Sequence, residues 1–274
     1  MDLNTITEIV RPRRRAELPA WQAGDAWLAG GTWLFSEPQP TLDRLIDIVD
    51  FGWPALQITE QGLQIAATCK IAELDGTTYP SNWTATPLFN QCCRSFLASF
   101  KIWNMATVGG NLCMALPAGP MIALTAALDG TCTIWTPAGN ERCVAVTDFV
   151  LAPQRNALLP GELLRSIALP LSALRQRTAF RQISLAPLGR SAALLIGTRS
   201  PDDDTFALTV TASTPRPIRL SFPGLPTRDA LRERLKTEIQ HYYDDVHGAP
   251  AWRRHMTLQF AEEIRRDLAG EGPQ

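Results

Sequence analysis

Two vicinal glycine pairs, far apart in the sequence, constrain this chain more than any other feature: Gly30-Gly31 and Gly109-Gly110. Vicinal glycines lack the Cβ that blocks positive φ and close backbone approach, so successive N–H groups can turn toward one point. A concave row of neutral donors suits a phosphate. The second pair lies within residues 101–120, KIWNMATVGGNLCMALPAGP, between Thr107 and Asn111. Read alone, residues 108–111 are a tight turn. The first pair, in Ala29-Gly30-Gly31-Thr32, adds a distant second bend, and two such bends can grip a diphosphate from both sides.

At 274 residues the chain has room for one domain or two and for at least one sizeable core. A formal net charge of −1 gives no electrostatic footprint for nucleic acid or an anionic membrane. The one dense basic run, Arg11 with Arg13, Arg14 and Arg15, reads as a solvated edge or as a docking patch for an acidic partner. No apolar run approaches the roughly 20 residues that span a bilayer, and the start Met1-Asp2-Leu3-Asn4 lacks signal-peptide regions, so cytoplasmic residence is the expectation. The six cysteines, at 69, 92, 93, 113, 132 and 143, form no C-x-x-C pair. That spacing argues against a zinc or iron–sulfur site held by this chain, so no metal site is expected.

Residues 25–29 read as a strand that delivers the first bend, and 41–49 as a second buried element of a small α/β unit over roughly 1–55. Leu56 and Ile58, then Leu63 and Ile65, flank Glu60-Gln61-Gly62 as a hairpin. Thr68 can cap a short helix through Leu74. Thr86 as N-cap and Pro87 at the first helical position open the clearest helix. Its stripe is Leu88, Cys92, Phe96 and Phe100, with Phe89, Cys93 and Leu97 beside it. Cys92 and Cys93 are therefore core residues rather than a redox pair, and the helix should carry Ala98 toward the second bend. A helix over 120–128 stopped by Gly130, a hairpin of 131–136 with 142–146, and a strand over 163–169 ended by Pro170 follow. The domain boundary is placed at 170. Beyond it, apolar runs at 179–185, 192–196 and 206–212 predict a small antiparallel sheet. Amphipathic helices over 227–240 and 251–268 complete an α+β second domain, 171–274.

Catalytic motifs are missing. His241, His247 and His255 match no metal-binding spacing and read as a solvated helix face or loop. Asp202-Asp203-Asp204 reads as a loop without metal-site spacing. G-x-S-x-G, Walker A and G-x-G-x-x-G are all absent. With no evident acid, base or nucleophile, no catalytic residue is assigned, and the chain must borrow its chemistry from a cofactor or have none.

LAGGTWL (28–34), FLASFKIWNMATVGGNLCMALPAGP (96–120), LDG (128–130) and LLPGELLRSIALP (158–170) resemble the FAD-binding subunit of the molybdenum hydroxylases, the xanthine dehydrogenase and aerobic carbon monoxide dehydrogenase family. GLQIAATCKIAEL (62–74) and DDVHGAPAWRRHM (244–256) extend the resemblance over nearly the whole chain. It implies an α+β fold: a two-subdomain FAD-binding domain of the PCMH, vanillyl-alcohol-oxidase-like type over 1–170, split at about 55, then a small C-terminal domain with an antiparallel sheet. By position, Ala29, Gly30, Gly31 and Thr32 would present N–H groups to the FAD diphosphate. Thr107 would bond a phosphate or ribose oxygen, and Gly110 and Asn111 would complete the second grip. Leu97, Ala98 and Cys113 would pack on the cofactor, Leu164 would lie near the flavin, and Arg181 would place positive charge near the reduced ring.

Three positions depart from the family pattern, and the segment LAPLGR (185–190), which the resemblance places in the ring environment, is less acidic than its usual counterpart. Trp33, at the FAD bend, replaces a small polar or acidic residue but keeps its backbone N–H; Leu116 replaces a serine; Pro120 replaces an aspartate that anchors the adenosine end. Losing a hydrogen bond of that kind costs about 1–3 kcal/mol, roughly ten- to hundredfold in affinity. The resemblance therefore implies an electron-transfer flavoprotein subunit of a hetero-oligomer. A molybdenum-cofactor large subunit would oxidise substrate and a 2Fe-2S small subunit would relay electrons to this flavin. The alternatives are a structural or assembly subunit of the same complex with weak or lost FAD binding, and a free-standing flavin reductase acting on a nicotinamide nucleotide.

Overall fold

The computed structural model describes residues 3–96 and 98–271. A first unit is built from three short parallel strands, β1 (Glu8–Val10), β2 (Asp25–Leu28) and β3 (Arg44–Asp47), in the order β1-β3-β2. The central strand β3 buries Leu45 and Ile46. The segment from β2 to β3 carries the first glycine pair, so the bend leaves a parallel strand at its carboxyl end. That is where open parallel sheets collect their ligands.

The second unit runs β4 (Leu56–Thr59), β5 (Gly62–Ala66), α1 (Ile71–Gly76), α2 (Thr86–Ser95), α3 (Phe100–Trp103), α4 (Val108–Met114), α5 (Pro120–Ala127), β6 (Thr131–Trp135), β7 (Glu141–Ala145), α6 (Val146–Phe149), β8 (Val150–Ala152), β9 (Arg155–Asn156), β10 (Leu163–Pro170) and α7 (Leu171–Leu174). Its antiparallel sheet has the order β4-β5-β10-β6-β7. Both expected hairpins are present, and β10 lies between them. Cys92 and Cys93 are fully buried in the core, as their helical phase requires, and burial pushes both thiols up.

Local details differ from the sequence reading. Helix α1 starts at Ile71 rather than at Thr68, with the Glu73 carboxylate accepting the Lys70 N–H at 2.8 Å. Thr86 sits inside the first turn of α2 and donates its hydroxyl back to the Trp83 carbonyl instead of capping. Helix α2 ends at Ser95, and Phe100 opens the separate helix α3. That break takes Phe100 out of phase with the α2 stripe and leaves it 73% exposed. Residues 108–111 are the first turn of a helix, α4, rather than a free turn.

The C-terminal unit has an antiparallel sheet in the order β11-β12-β13-β14: β11 (Arg177–Ile183), β12 (Ala193–Arg199), β13 (Phe206–Thr211) and β14 (Ile218–Phe222). The expected sheet lacked β14, because Pro215 and Pro217 mask a strand that begins directly after them. Helices α8 (Arg228–Glu238) and α9 (Pro250–Ala269) close the unit, with Ile264 and Leu268 of α9 in its core. Helix α5 lies between the two larger units. Every residue of it is buried, and Leu194, Ile196 and Ala212 of the C-terminal unit join the core that it serves. A helix apolar on all sides is stable only with protein on all sides.

The basic run near the start folds onto its own chain. Arg14 pairs with Glu17, Arg15 lies 4.7 Å from the Trp135 ring centroid and donates to the Asn140 carbonyl, and Arg11 faces Asp47 at 3.4 Å. No helix among the described residues is long and apolar enough to cross a membrane.

Candidate functional site

A cleft of about 910 Å³ runs between all three units. The two glycine bends meet on its wall. A methyl placed on Gly30 would sit 1.8 Å from the Met105 carbonyl oxygen, so only glycine lets the first bend approach the segment that leads into α4. Gly31 has φ +66°, the left-handed conformation that side chains disfavour.

What the bends offer a ligand differs between them. In the first, the N–H groups of Gly30, Gly31, Thr32, Trp33 and Leu34 have no hydrogen-bond acceptor among the described residues, while the Gly31 and Trp33 carbonyls accept from Phe35 and Ser36. A run of consecutive free donors beside a cleft can serve as an anion nest. In the second, the backbone donors are spent inside the protein. Val108 N–H donates to Cys69, Gly109 N–H to Ala67 and Asn111 N–H to the Thr107 carbonyl, while Gly110 N–H donates to the Thr107 hydroxyl at 3.0 Å. That last bond is an N-cap. The second glycine pair therefore serves close packing: a methyl on Gly109 would lie 2.5 Å from the Ala67 Cβ.

Side chains supply the remaining donors of the second bend. Thr107 Oγ accepts the cap bond, and its own proton has no acceptor among the described residues. Asn111 Oδ1 accepts the Met121 N–H at 3.1 Å, which fixes the amide orientation and leaves its Nδ2 donors unused by the protein. Ala29, Gly30, Gly31, Thr32, Trp33, Thr107, Gly110, Asn111 and Cys113 all border the cleft, as do Leu116 and Pro120. Burial pushes the Cys113 thiol up to about 12, so it is a neutral wall residue and not a nucleophile.

Three other expected site residues, Ala98, Leu164 and Arg181, are not brought together with these. Leu97 lies outside the described residues. Ala98 follows α2 but is not on the cleft wall. Leu164 is buried in the core and is not on the cleft wall. Arg181 projects to α9, where its Nε meets Glu263 at 2.7 Å and its Nη2 meets Asp267 at 2.5 Å. Strand alternation explains this, because the next residue, Gln182, turns the other way and donates to Ser191 on the cleft.

Of the wall from the C-terminal unit, the segment 185–190 was expected near the flavin ring from the resemblance, whereas Tyr243 and His247 were not assigned from sequence, although His247 falls within the family-like stretch 244–256. Leu188, Arg190, Tyr243 and His247 line it. It is held by Arg253, a fully buried guanidinium that donates to the carbonyls of Gly248 and Ala192 at 2.8 Å, to that of Ala212, and to the Asp245 carboxylate. His241 and His255 are exposed, as expected, but His247 borders the cleft. No group of three or more metal-ligating side chains occurs among the described residues.

An extended cleft near the top of the usual ligand-pocket range, a neutral nest at one bend and unused Thr107 and Asn111 donors fit a dinucleotide diphosphate. Neutral donors in fixed positions can hold a dianion without a buried lysine.

Comparison with known proteins agrees with this chemistry. Residues 6–172 match the family described as the FAD binding domain in molybdopterin dehydrogenase. The chain is 30% identical over 138 residues to caffeine dehydrogenase subunit beta of Pseudomonas sp. (strain CBB1), covering 48% of this chain and 46% of that protein. It is 29% identical over 121 residues to xanthine dehydrogenase of Oryza sativa subsp. japonica, covering 42% of this chain and 9% of that protein. The match thus spans less than half the length of either relative. A reconstituted CO dehydrogenase from Oligotropha carboxidovorans shares the fold with a TM-score of 0.84 at 20% identity, covering 99% of this chain and 100% of that one.

Proposed function

Since the chain belongs to the family of FAD-binding domains in molybdopterin dehydrogenases, we propose that it is the FAD-carrying electron-transfer subunit of a molybdenum hydroxylase complex. In this reading a large subunit with the molybdenum cofactor oxidises the substrate, and a small subunit with 2Fe-2S clusters relays electrons to this chain. Bound FAD supplies two-electron redox chemistry at the cleft. The observation that carries the reading is the row of N–H groups from Gly30 to Leu34 that have no acceptor among the described residues, bordering the same cleft as Thr107 and Asn111. The row orients the diphosphate. The Thr107 hydroxyl and the Asn111 amide add donors from the second bend, and Cys113 and Ile102 line the wall. Nothing in that arrangement moves a proton, in keeping with a relay that needs no acid or base.

Incubating the purified chain with FAD and then desalting it tests the reading: retained flavin absorbance, bleached when the native complex receives its substrate, is expected. A protein that stays colourless refutes it. One observation favours a second reading, a scaffold subunit that binds FAD poorly: the Gly109 and Gly110 donors are spent inside the protein, and Pro120 offers no side-chain partner. Molybdenum, iron and flavin counts in the native complex separate the two, since a scaffold would co-purify with the metals and without stoichiometric flavin.

A further inference from the structure

A second cavity, of about 380 Å³, lies on the seam between the second unit and the C-terminal unit and shares no lining residue with the cleft. Its size falls within the usual range for ligand pockets. From the second unit it is lined by Ala126 near the end of α5, Asp129 just beyond that helix, and Thr147 of α6. From the C-terminal unit come Arg216 ahead of β14, Arg219 within it, and Glu238 at the end of α8.

Both carboxylates of this pocket already have a cation. Asp129 accepts from Arg219 Nη2 at 2.9 Å, and Glu238 meets Arg234 at 3.2 Å. Arg216, by contrast, has neither an ion pair nor a side-chain hydrogen bond among the described residues, although its backbone carbonyl accepts the Thr214 hydroxyl at 2.8 Å. It stands between Pro215 and Pro217. Each proline fixes its own φ, and the second also restricts the residue before it. A stiff backbone leaves only the side chain to be ordered when a ligand arrives. Arg219 keeps a spare donor as well: its Nη1 donates to Ser221 Oγ at 3.1 Å, but its Nε is buried without an acceptor. A buried donor without a partner is costly. The Thr147 hydroxyl likewise makes no hydrogen bond among the described residues. The surplus at the seam is of donors and of positive charge, which suits an oxyanion.

We propose that this seam pocket binds a small oxyanion, a phosphate or carboxylate group, with Arg216 as its charge partner and Thr147 and Arg219 as further donors. The site does not depend on the FAD reading. An anion shared by Thr147 of the second unit and Arg216 of the C-terminal unit bridges the seam, alongside the Arg219–Asp129 pair that already crosses it. A ligand that binds only the folded chain stabilises it, so binding raises the melting temperature.

The test is isothermal titration calorimetry of the full chain with inorganic phosphate and, separately, with succinate, at fixed ionic strength. Saturable binding is expected in at least one arm, and the tighter arm identifies the group as phosphate or carboxylate. Arg216 is exposed, so Arg216→Gln leaves the core untouched; it should weaken that binding about tenfold through the loss of a charge-assisted contact. Arg216→Lys should recover part of the loss, and Thr147→Val should weaken binding by less than Arg216→Gln. Arg232→Gln, at an exposed arginine of α8 outside the pocket, should bind as wild type does. The same anion should raise the melting temperature of wild type and Arg232→Gln but not of Arg216→Gln. No saturable binding of either anion overturns the proposal, as does wild-type affinity in Arg216→Gln. Equal weakening in Arg216→Gln and Arg232→Gln also overturns it, since that pattern marks general charge screening and not a site.

Discussion

The Glu162 carboxylate accepts from Arg142 Nε at 2.8 Å, from Arg142 Nη2 at 2.5 Å and from the Leu159 N–H at 2.8 Å, while its backbone carbonyl accepts the Trp27 indole N–H at 2.9 Å. One loop residue thereby ties the first unit to the sheet of the second. Its bonds to Arg142, ahead of the desolvation that opposes them, hold its carboxyl below the usual glutamate range. A lowered folded-state pKa gives stability that is complete above the unfolded value, about 4.3, and is lost as pH falls through the lower folded value. Glu162→Gln is expected to cost about 1.5–3 kcal/mol near neutral pH, the range for hydrogen bonds to charged groups. Urea unfolding at pH 7 and pH 3 checks it: the gap to wild type should narrow at the lower pH. Thr107 carries two loads that can be separated. Thr107→Val removes both the α4 cap, worth about 0.5–2 kcal/mol, and a donor to the cleft, whereas Thr107→Ser keeps both. FAD dissociation constants and urea midpoints of the two variants should fall in that order, and a valine variant that binds FAD as tightly as wild type would remove Thr107 from the site.

Among the elements, the bend after β2 and the segment that leads into α4 touch at Gly30 and Met105. Gly30→Ala would put a methyl 1.8 Å from the Met105 carbonyl oxygen, which belongs to backbone and cannot swing aside. The expected result is a chain with near-native circular dichroism and at least a tenfold loss of FAD affinity, since the bend is displaced as a unit; flavin fluorescence titration reads it directly. The same contact marks what could be read from residues alone. Glycine pairs announce a special backbone, so the first bend was legible, as were the hairpin around Gly62 and the burial of Cys92 and Cys93, whereas the second pair lies in the first turn of a helix. Where the second bend's donors go was not legible. Gly109 and Val108 bond to Ala67 and Cys69, about 40 positions upstream, and no local pattern encodes a partner so distant. The place of Arg181 was not legible for a related reason: both faces of β11 carry polar residues, so alternation alone does not say which one meets the cleft.

For the whole molecule, the same argument bears on where one folding unit ends. The strand ended by Pro170 suggested a boundary at that point, and two hydrophobic clusters do exist, one centred on the second unit and one on α8, α9 and the C-terminal sheet. The first cluster nevertheless recruits Leu194, Ile196 and Ala212 from beyond residue 170, all within 1% of complete burial, and the Ala212 N–H donates to Pro117 at 2.8 Å. These residues cover α5, which has no polar face to turn toward water. Cutting the chain at 170 would therefore expose an apolar helix face beside the cleft and remove the wall that Arg253 organises. Exposed patches of that kind drive association. A 1–170 fragment is expected to aggregate, or to show no cooperative thermal transition, and to retain no FAD. The full chain should instead unfold in one transition with coincident far-UV and tryptophan-fluorescence curves. Two separated transitions in the full chain, or a monomeric fragment that holds flavin, would show that the C-terminal unit is an independent attachment and not part of the folding unit that builds the site.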